Sequence, residues 1–414
     1  MIARAEDLQL RNVLARATSP RTIGIVGIAL GVIAFWLALP PVHVRTAPLP
    51  VAVGIVAVAA GIWAFTRADR RVGGGAVVAG VIGIIGALAM MQATTGRLQT
   101  VFVWSALAAA TLRFATPLTF AAIGGMFSER SGVVNIGLEG MMLMGAFFGA
   151  WGADKTESWV GGLALGILAG GALAFVHAIF SIHLRADQIV SGTAVNFLAL
   201  GVTGYVYNDV YGNNGTPNDL PAIPDVNIGF LSHIPPHDLG SFLDEAFGSL
   251  NLMIWIALLL LPVSYIVMFR TAIGLRIRSV GEHPRAADTV GISVYGTRYA
   301  AVTLSGMLAA LGGVFLSIGF VNSFTENMTA GRGFIALAAL IFGGWRPFGA
   351  FGACLLFGFS SALAPRLQDL SNSQDAAWPV LFQTLPYVLT LIAVAGIIGR
   401  SIPPAAVGRP YKKQ

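Results

Sequence analysis

The chain has little charge, one cysteine and three lysines. Asp, Glu, Lys and Arg together make up 11% of its 414 residues. Cys354 lies inside an apolar run, so neither an internal disulfide nor a cysteine metal site can be built from this chain. Lys155, Lys412 and Lys413 follow no G-x-x-x-x-G-K-[ST] pattern, and no G-x-S-x-G is present. If ATP drives anything here, another chain binds it. The six histidines lack metal-ligand spacing: His233 and His237 are four apart, but Pro235 and Pro236 break the helix that would align them. No metal site and no catalytic constellation is expected. A soluble chain carries about 25% charged residues, whereas here 56% are hydrophobic and the mean hydropathy is +0.76. Most of the chain therefore belongs in lipid. The net charge of +6 comes from arginines clustered between apolar runs, which points to a membrane surface and not to nucleic acid.

Apolar runs long enough to cross, or nearly so, number about twelve. They are 22–39, 51–65, 76–91, 114–127, 136–150, 160–182, 189–207, 250–269, 299–320, 334–344, 348–363 and 380–398. Residues 1–21 read either as a short basic surface helix or as a solvated tail. With the N-terminus inside, 19 of the 25 Lys and Arg fall on the inner side, Arg298 among them. The positive-inside rule then sets both termini in the cytoplasm. The fold class is all-α, a polytopic membrane protein. Trp345 and Trp378 read as interfacial belt residues.

The informative stretch is Ile123 to Trp151, IGGMFSERSGVVNIGLEGMMLMGAFFGAW. Short apolar segments flank a polar, glycine-rich centre, which reads as one interrupted helix near residues 124–140. Irregular backbone survives at membrane depth only where protein or a water-filled path surrounds it. Glu139 has two readings: it lines or gates the path, or its hydrogen bonds pin the broken helix to a neighbour. Asn135 shares that ambiguity. Glu129 and Arg130 read as anchors of the break, and Gly124, Gly125, Gly137 and Gly140 as sites of close helix packing. His177, Thr193, Asn196 and Asn322 are intramembrane polar groups that either meet a solute or bond helix to helix.

Two loops break the short-connection pattern. Asn208 to Ser249 lies outside, lacks Lys and Arg, and reads as a docking surface or as a mobile polar loop. Arg270 to Arg298 lies inside and has ordered signals: Pro284 for a first helical turn, a short helix to Thr289, and Gly291 to end it.

Three stretches then carry a family resemblance: FSERSGVVNIGLEGMMLMGAF (Phe127 to Phe147), GLRIRSVGEHPRAADTVGI (Gly274 to Ile292) and GRGFIALAALIFGGWRPFGA (Gly331 to Ala350). The chain resembles the permease subunits of ABC importers in the branched-chain amino acid, ribose and nucleoside branch, and the nucleoside type most. The likeness covers 100–400 and implies a permease core there; residues 1–99, an extension with three spans, fall outside it, and 401–414 read as a cytoplasmic tail. It implies partners: two ATP-binding subunits holding ATP and Mg, a second homologous permease, and an external substrate-binding lipoprotein. This chain itself would bind no cofactor. The ATPase-coupling residues implied are Gly281, Glu282, Pro284, Arg285, Ala286, Ala287, Asp288 and Gly291. Asn135, Gly137, Glu139, Gly140, Asn196 and Asn322 would border the substrate path. The expected cargo is a nucleoside, with a ribose-like sugar or branched-chain amino acids as alternatives. A carrier or channel acting alone, with Glu139 as its proton site, is the rival of another class.

Overall fold

A computed structural model describes residues 19–37, 48–67, 70–91, 103–212, 215–217, 219–234, 237–370 and 402–413. The expected span 380–398, Trp378 and nearly all of the N-terminal basic segment lie outside these residues. The chain divides into two compact units, Met1–Trp104 with Leu363–Gly399, and Ser105–Ala362 with Arg400–Gln414.

In the first unit, α1 (Pro20–Leu37), α2 (Pro48–Thr66) and α3 (Arg70–Met91) pack on one another. In the second, α4 (Trp104–Arg130) is followed by α5 (Leu138–Thr156), α6 (Trp159–Ala178, prolonged by a π turn to His183) and α7 (Gln188–Tyr211). A two-stranded ribbon, Asp225–Asn227 paired antiparallel with Ser249–Asn251, brackets α8 (His237–Phe247). Next come α9 (Leu252–Arg270), α10 (Ala272–Glu282), α11 (Pro284–Thr289) and α12 (Val294–Val314, prolonged by a π turn to Val321). α13 (Arg332–Phe342) and α14 (Pro347–Leu370) complete the described helices.

Seven of these are long and apolar enough to span a membrane: α2, α4, α6, α7, α9, α12 and α14. Three shorter apolar helices lie at Pro20–Ala34, Val72–Ile85 and Arg332–Phe342. The chain is an all-α, multi-pass membrane protein. Arg113, expected beside the start of a span, is an exposed residue within α4, which begins nine residues before it.

The expected single interrupted helix is instead two helices running in opposite directions. Gly124 of α4 faces Ser305 of α12 and Pro117 faces Gly312, an antiparallel pairing. On α5, Gly145 faces Ala310 and Gly149 faces Val314, a parallel pairing with the same α12. Residues 131–137 between them are not helical.

Small residues set the spacing of α5, α6 and α12. In lipid no hydrophobic force joins helices, so van der Waals contact must, and it needs close backbones. At Gly313 a methyl group would lie 1.8 Å from Met142 O; at Gly145 it would lie 2.3 Å from Ala310 O. Backbone cannot give way as a flexible side chain does. Gly313→Ala should therefore cost about 1–3 kcal/mol through overpacking, read as a lowered thermal midpoint in detergent. Gly201→Ala, where nothing lies within 4 Å inside α7, should be neutral or slightly stabilising.

Candidate functional site

Of the seven residues between α4 and α5, five are buried and Val134 and Ile136 are half-buried, and most of their backbone hydrogen bonds are supplied group by group. Ser131 N and Gly132 N turn back to Ser128 O and Glu129 O, each at 3.0 Å, and Val133 N to Ser128 O at 3.2 Å. Ser128 Oγ donates to Val133 O at 2.7 Å. Beyond that the partners come from distant helices. Val134 N donates to Gln188 Oε1 at 2.7 Å. His177 Nε2 lies 3.2 Å from Val134 O, which requires the proton on Nε2; Ser191 Oγ then donates to Nδ1 at 3.0 Å. Arg298 Nε donates to Ser131 O at 3.2 Å, and Asn196 Nδ2 to Ile136 O at 3.0 Å. Asn135 Nδ2 donates to Ser305 Oγ at 2.9 Å, while its Oδ1 is buried without a partner among the described residues.

The segment rises alongside its neighbours. It meets Arg298 of α12 at Ser131 and Ser305 at Asn135; those α12 positions are about 10 Å apart at 1.5 Å per residue. It likewise meets Gln188 of α7 at Val134, whereas Gly140 N donates to Asn196 Oδ1 at 2.8 Å. α5 therefore begins well inside the span of α7.

Glu139, in the first turn of α5, is also the cap of another helix. Its Oε1 accepts from Thr329 Oγ1 at 2.6 Å and from Gly331 N at 2.8 Å, and its Oε2 from Gly333 N at 2.6 Å. Gly331 is the residue just before α13, with φ +83°, and a methyl at Gly333 would lie 2.5 Å from Glu139 Cα. The starts of α5 and α13 thus meet on one carboxylate. Each helix start carries roughly +0.5 of a charge, so a single anion balances two of them.

Glu129 and Arg130 anchor the lower end. Glu129 Oε2 accepts from Trp345 Nε1 at 2.5 Å, and Arg130 Nη2 donates to Trp345 O at 3.0 Å. Trp345, expected in an interfacial belt, is instead 4% exposed, with φ +54°. Arg298, counted among the loop cations, is 1% exposed in the second turn of α12. In both cases a specific polar partner in the bundle outweighs the residue type's usual place.

The structure thus brings Asn135, Gly137, Glu139, Gly140 and Asn196 together. Gly137 stands before α5, where a methyl would lie 3.2 Å from Asn135 Oδ1. Asn322, which follows the π turn of α12 with φ +60°, has a buried Oδ1 without a partner among the described residues and makes no hydrogen bond to that cluster among them. Thr193, exposed, bonds among the described residues only back to Ile189 O in its own helix.

A second group lies at α10 and α11. Pro284 occupies the first turn of α11, and Gly291, φ +83°, follows it. Ala287 is buried, Asp288 and Pro284 are half-buried, and Glu282, Arg285, Ala286 and Gly291 are exposed. At Gly281 a methyl would lie 2.0 Å from Arg130 O, which seats α10 directly on the end of α4. Gln188, Thr329, Ser305 and the chain's last residues were not singled out from sequence. Gln188 carried a usable signal, a polar residue just after the helix-capping Asp187.

Residues 107–394 match the family described as "branched-chain amino acid transport system / permease component". The chain is 42% identical over 329 residues to the guanosine ABC transporter permease protein NupQ of Bacillus subtilis, covering 76% of this chain and 99% of that protein. It is 39% identical to the nucleoside ABC transporter permease protein NupC of Lactococcus lactis, covering 73% and 95%. It is 37% identical to the putative glucose ABC transporter permease protein TsgC13 of Haloferax volcanii, covering 68% and 84%. No solved structure matches the chain.

Glu139→Gln puts an NH2 group where an acceptor faced a backbone N–H. It should destabilise the protein by about 1–3 kcal/mol, the cost of leaving a buried donor unmet. Thr329→Val should cost about 1 kcal/mol, since the two backbone donors keep the carboxylate in place. Thermal unfolding in detergent checks both.

Proposed function

The chain belongs to the permease-component family of branched-chain amino acid transport systems, and from that premise we propose that it is the membrane subunit of an ABC importer for nucleosides. The similarity to permeases named for guanosine and nucleosides supports this cargo. The observation that carries it physically is the Glu139 clamp. Helix starts inside a membrane are ready sites for an anionic group of a solute. Here the start of α13 is bonded to the protein's own carboxylate, which itself stands in the first turn of α5. A solute with a carboxylate or phosphate finds no such site at this point, whereas an uncharged, hydrogen-bonding nucleoside needs none. The same argument accommodates a sugar, the second reading, which the similarity to a putative glucose permease favours.

In this reading the chain works with a second permease, two ATP-binding subunits that hold ATP and Mg, and an external binding lipoprotein. Twelve spans with both termini in the cytoplasm put α10 and α11 on the inner side. Arg285 and Ala286 are exposed there, where they meet the ATP-binding subunit. ATP binding draws the two ATP-binding subunits together, α11 follows, and the bundle around residues 131–140 opens outward to take cargo.

The test is ATP hydrolysis by the assembled complex in nanodiscs, with its binding protein and a panel of guanosine, adenosine, cytidine, ribose, glucose and leucine. Nucleosides should stimulate hydrolysis several-fold, and Arg285→Glu should abolish that stimulation while leaving the chain folded. Stimulation by glucose or ribose alone establishes a sugar permease. Uptake that needs no ATP refutes the importer and favours the solitary carrier.

A further inference from the structure

We propose that the C-terminal segment 404–411 is a strap that makes the coupling helix α11 and the non-helical segment 131–137 move as one body, with Tyr411 its positioning residue. The proposal rests on the importer reading, in which α11 receives the motion of the ATP-binding subunit.

The strap touches each piece that must move together. Ala405 N donates to Glu282 Oε2 at 3.1 Å and Ala406 N to Gly281 O at 2.9 Å, at the end of α10. Two residues on, Gly408 N donates to Gly132 O at 3.2 Å, inside the non-helical segment. Arg298 bridges the two: its Nε donates to Ser131 O and its Nη1 to Arg409 O, both at 3.2 Å. Tyr411 Oη donates to Asp288 Oδ2 of α11 at 2.8 Å, and Tyr411 O accepts from Tyr295 Oη at 3.3 Å. The Tyr411 ring is buried with Val280, Ala287 and Val294, one residue from each of α10, α11 and α12.

Its shape is set by its own residues. Pro403, Pro404 and Pro410 restrict the backbone, and Gly408 takes φ +76°, open to glycine at little cost. A segment so restricted loses little entropy when it docks, and so can transmit displacement. Because α10 is already seated on the end of α4 through Gly281, the strap is not needed to hold α10 there. What it adds is the link from α11 to Gly132.

The experiment compares Tyr411→Ala and Tyr411→Phe with the wild type in the full complex with its binding protein. It measures yield, melting temperature, basal hydrolysis, cargo-stimulated hydrolysis and nucleoside moved per ATP. The proposal expects Tyr411→Ala to assemble and hydrolyse ATP at the basal rate, with stimulation and transport per ATP reduced about five-fold or more. Tyr411→Phe, which keeps the ring and loses only the bond to Asp288, should fall between. Wild-type stimulation in Tyr411→Ala overturns the strap alone, as does a loss that only tracks yield and melting temperature. A wild-type complex with no ATP-linked uptake overturns the importer reading and the strap with it.

Discussion

A backbone that leaves the helix inside a membrane must find every hydrogen bond within the protein, because hydrocarbon offers none. Residues 131–137 impose that demand, and much of the second unit meets it. Gln188 of α7, His177 of α6, and Arg298 and Ser305 of α12 are polar residues on otherwise apolar helices. Each bonds the segment. Removing one leaves a buried polar group unmet, which costs about 1–3 kcal/mol, so these side chains are placed by the segment as much as it is placed by them.

The same constraint explains the glycines and the carboxylate. Partners can reach the segment only if the helices around it stand close, and Gly313 against Met142 or Gly145 against Ala310 allows that approach. Close packing brings two helix starts together at Glu139, where their positive ends would repel without an anion between them. The carboxylate therefore contributes to stability and fixes the electrostatics of the bundle's middle at once.

Much of this was legible in the sequence. Apolar length placed most of the described helices to within about seven residues at each end, although α4 begins ten residues before the run that marked it, and Pro284 and Gly291 marked α11 because proline suits a first turn and glycine suits a left-handed end. Glu139 stood out because an ionisable residue in an apolar run needs a partner. Its partner was not legible: Thr329 and Gly333 lie some 190 residues away, and backbone donors leave no mark in a sequence. The stretch 123–151 read as one broken helix for a similar reason, although the list of spans already counted 114–127 and 136–150 as separate crossings. An interrupted helix and a hairpin have the same apolar pattern, and only contacts with α12 tell them apart. Arg298 and Trp345 were assigned by residue type to a loop and a belt, whereas the bundle supplied carbonyls for one and the Glu129 carboxylate for the other. The tail carried only its prolines and one glycine, too little to show what it docks against.

The central claim is that the backbone of residues 131–134 is dry and hydrogen-bonded within the protein rather than open to water. Amide hydrogen exchange across residues 128–137, on the chain reconstituted in nanodiscs, tests it directly. The account predicts that the amides of Ser131, Gly132, Val133 and Val134 exchange as slowly as those in the middle of α4. Exchange at the rate of exposed loop amides would mean that water reaches the segment, and would contradict the bonding on which the rest depends.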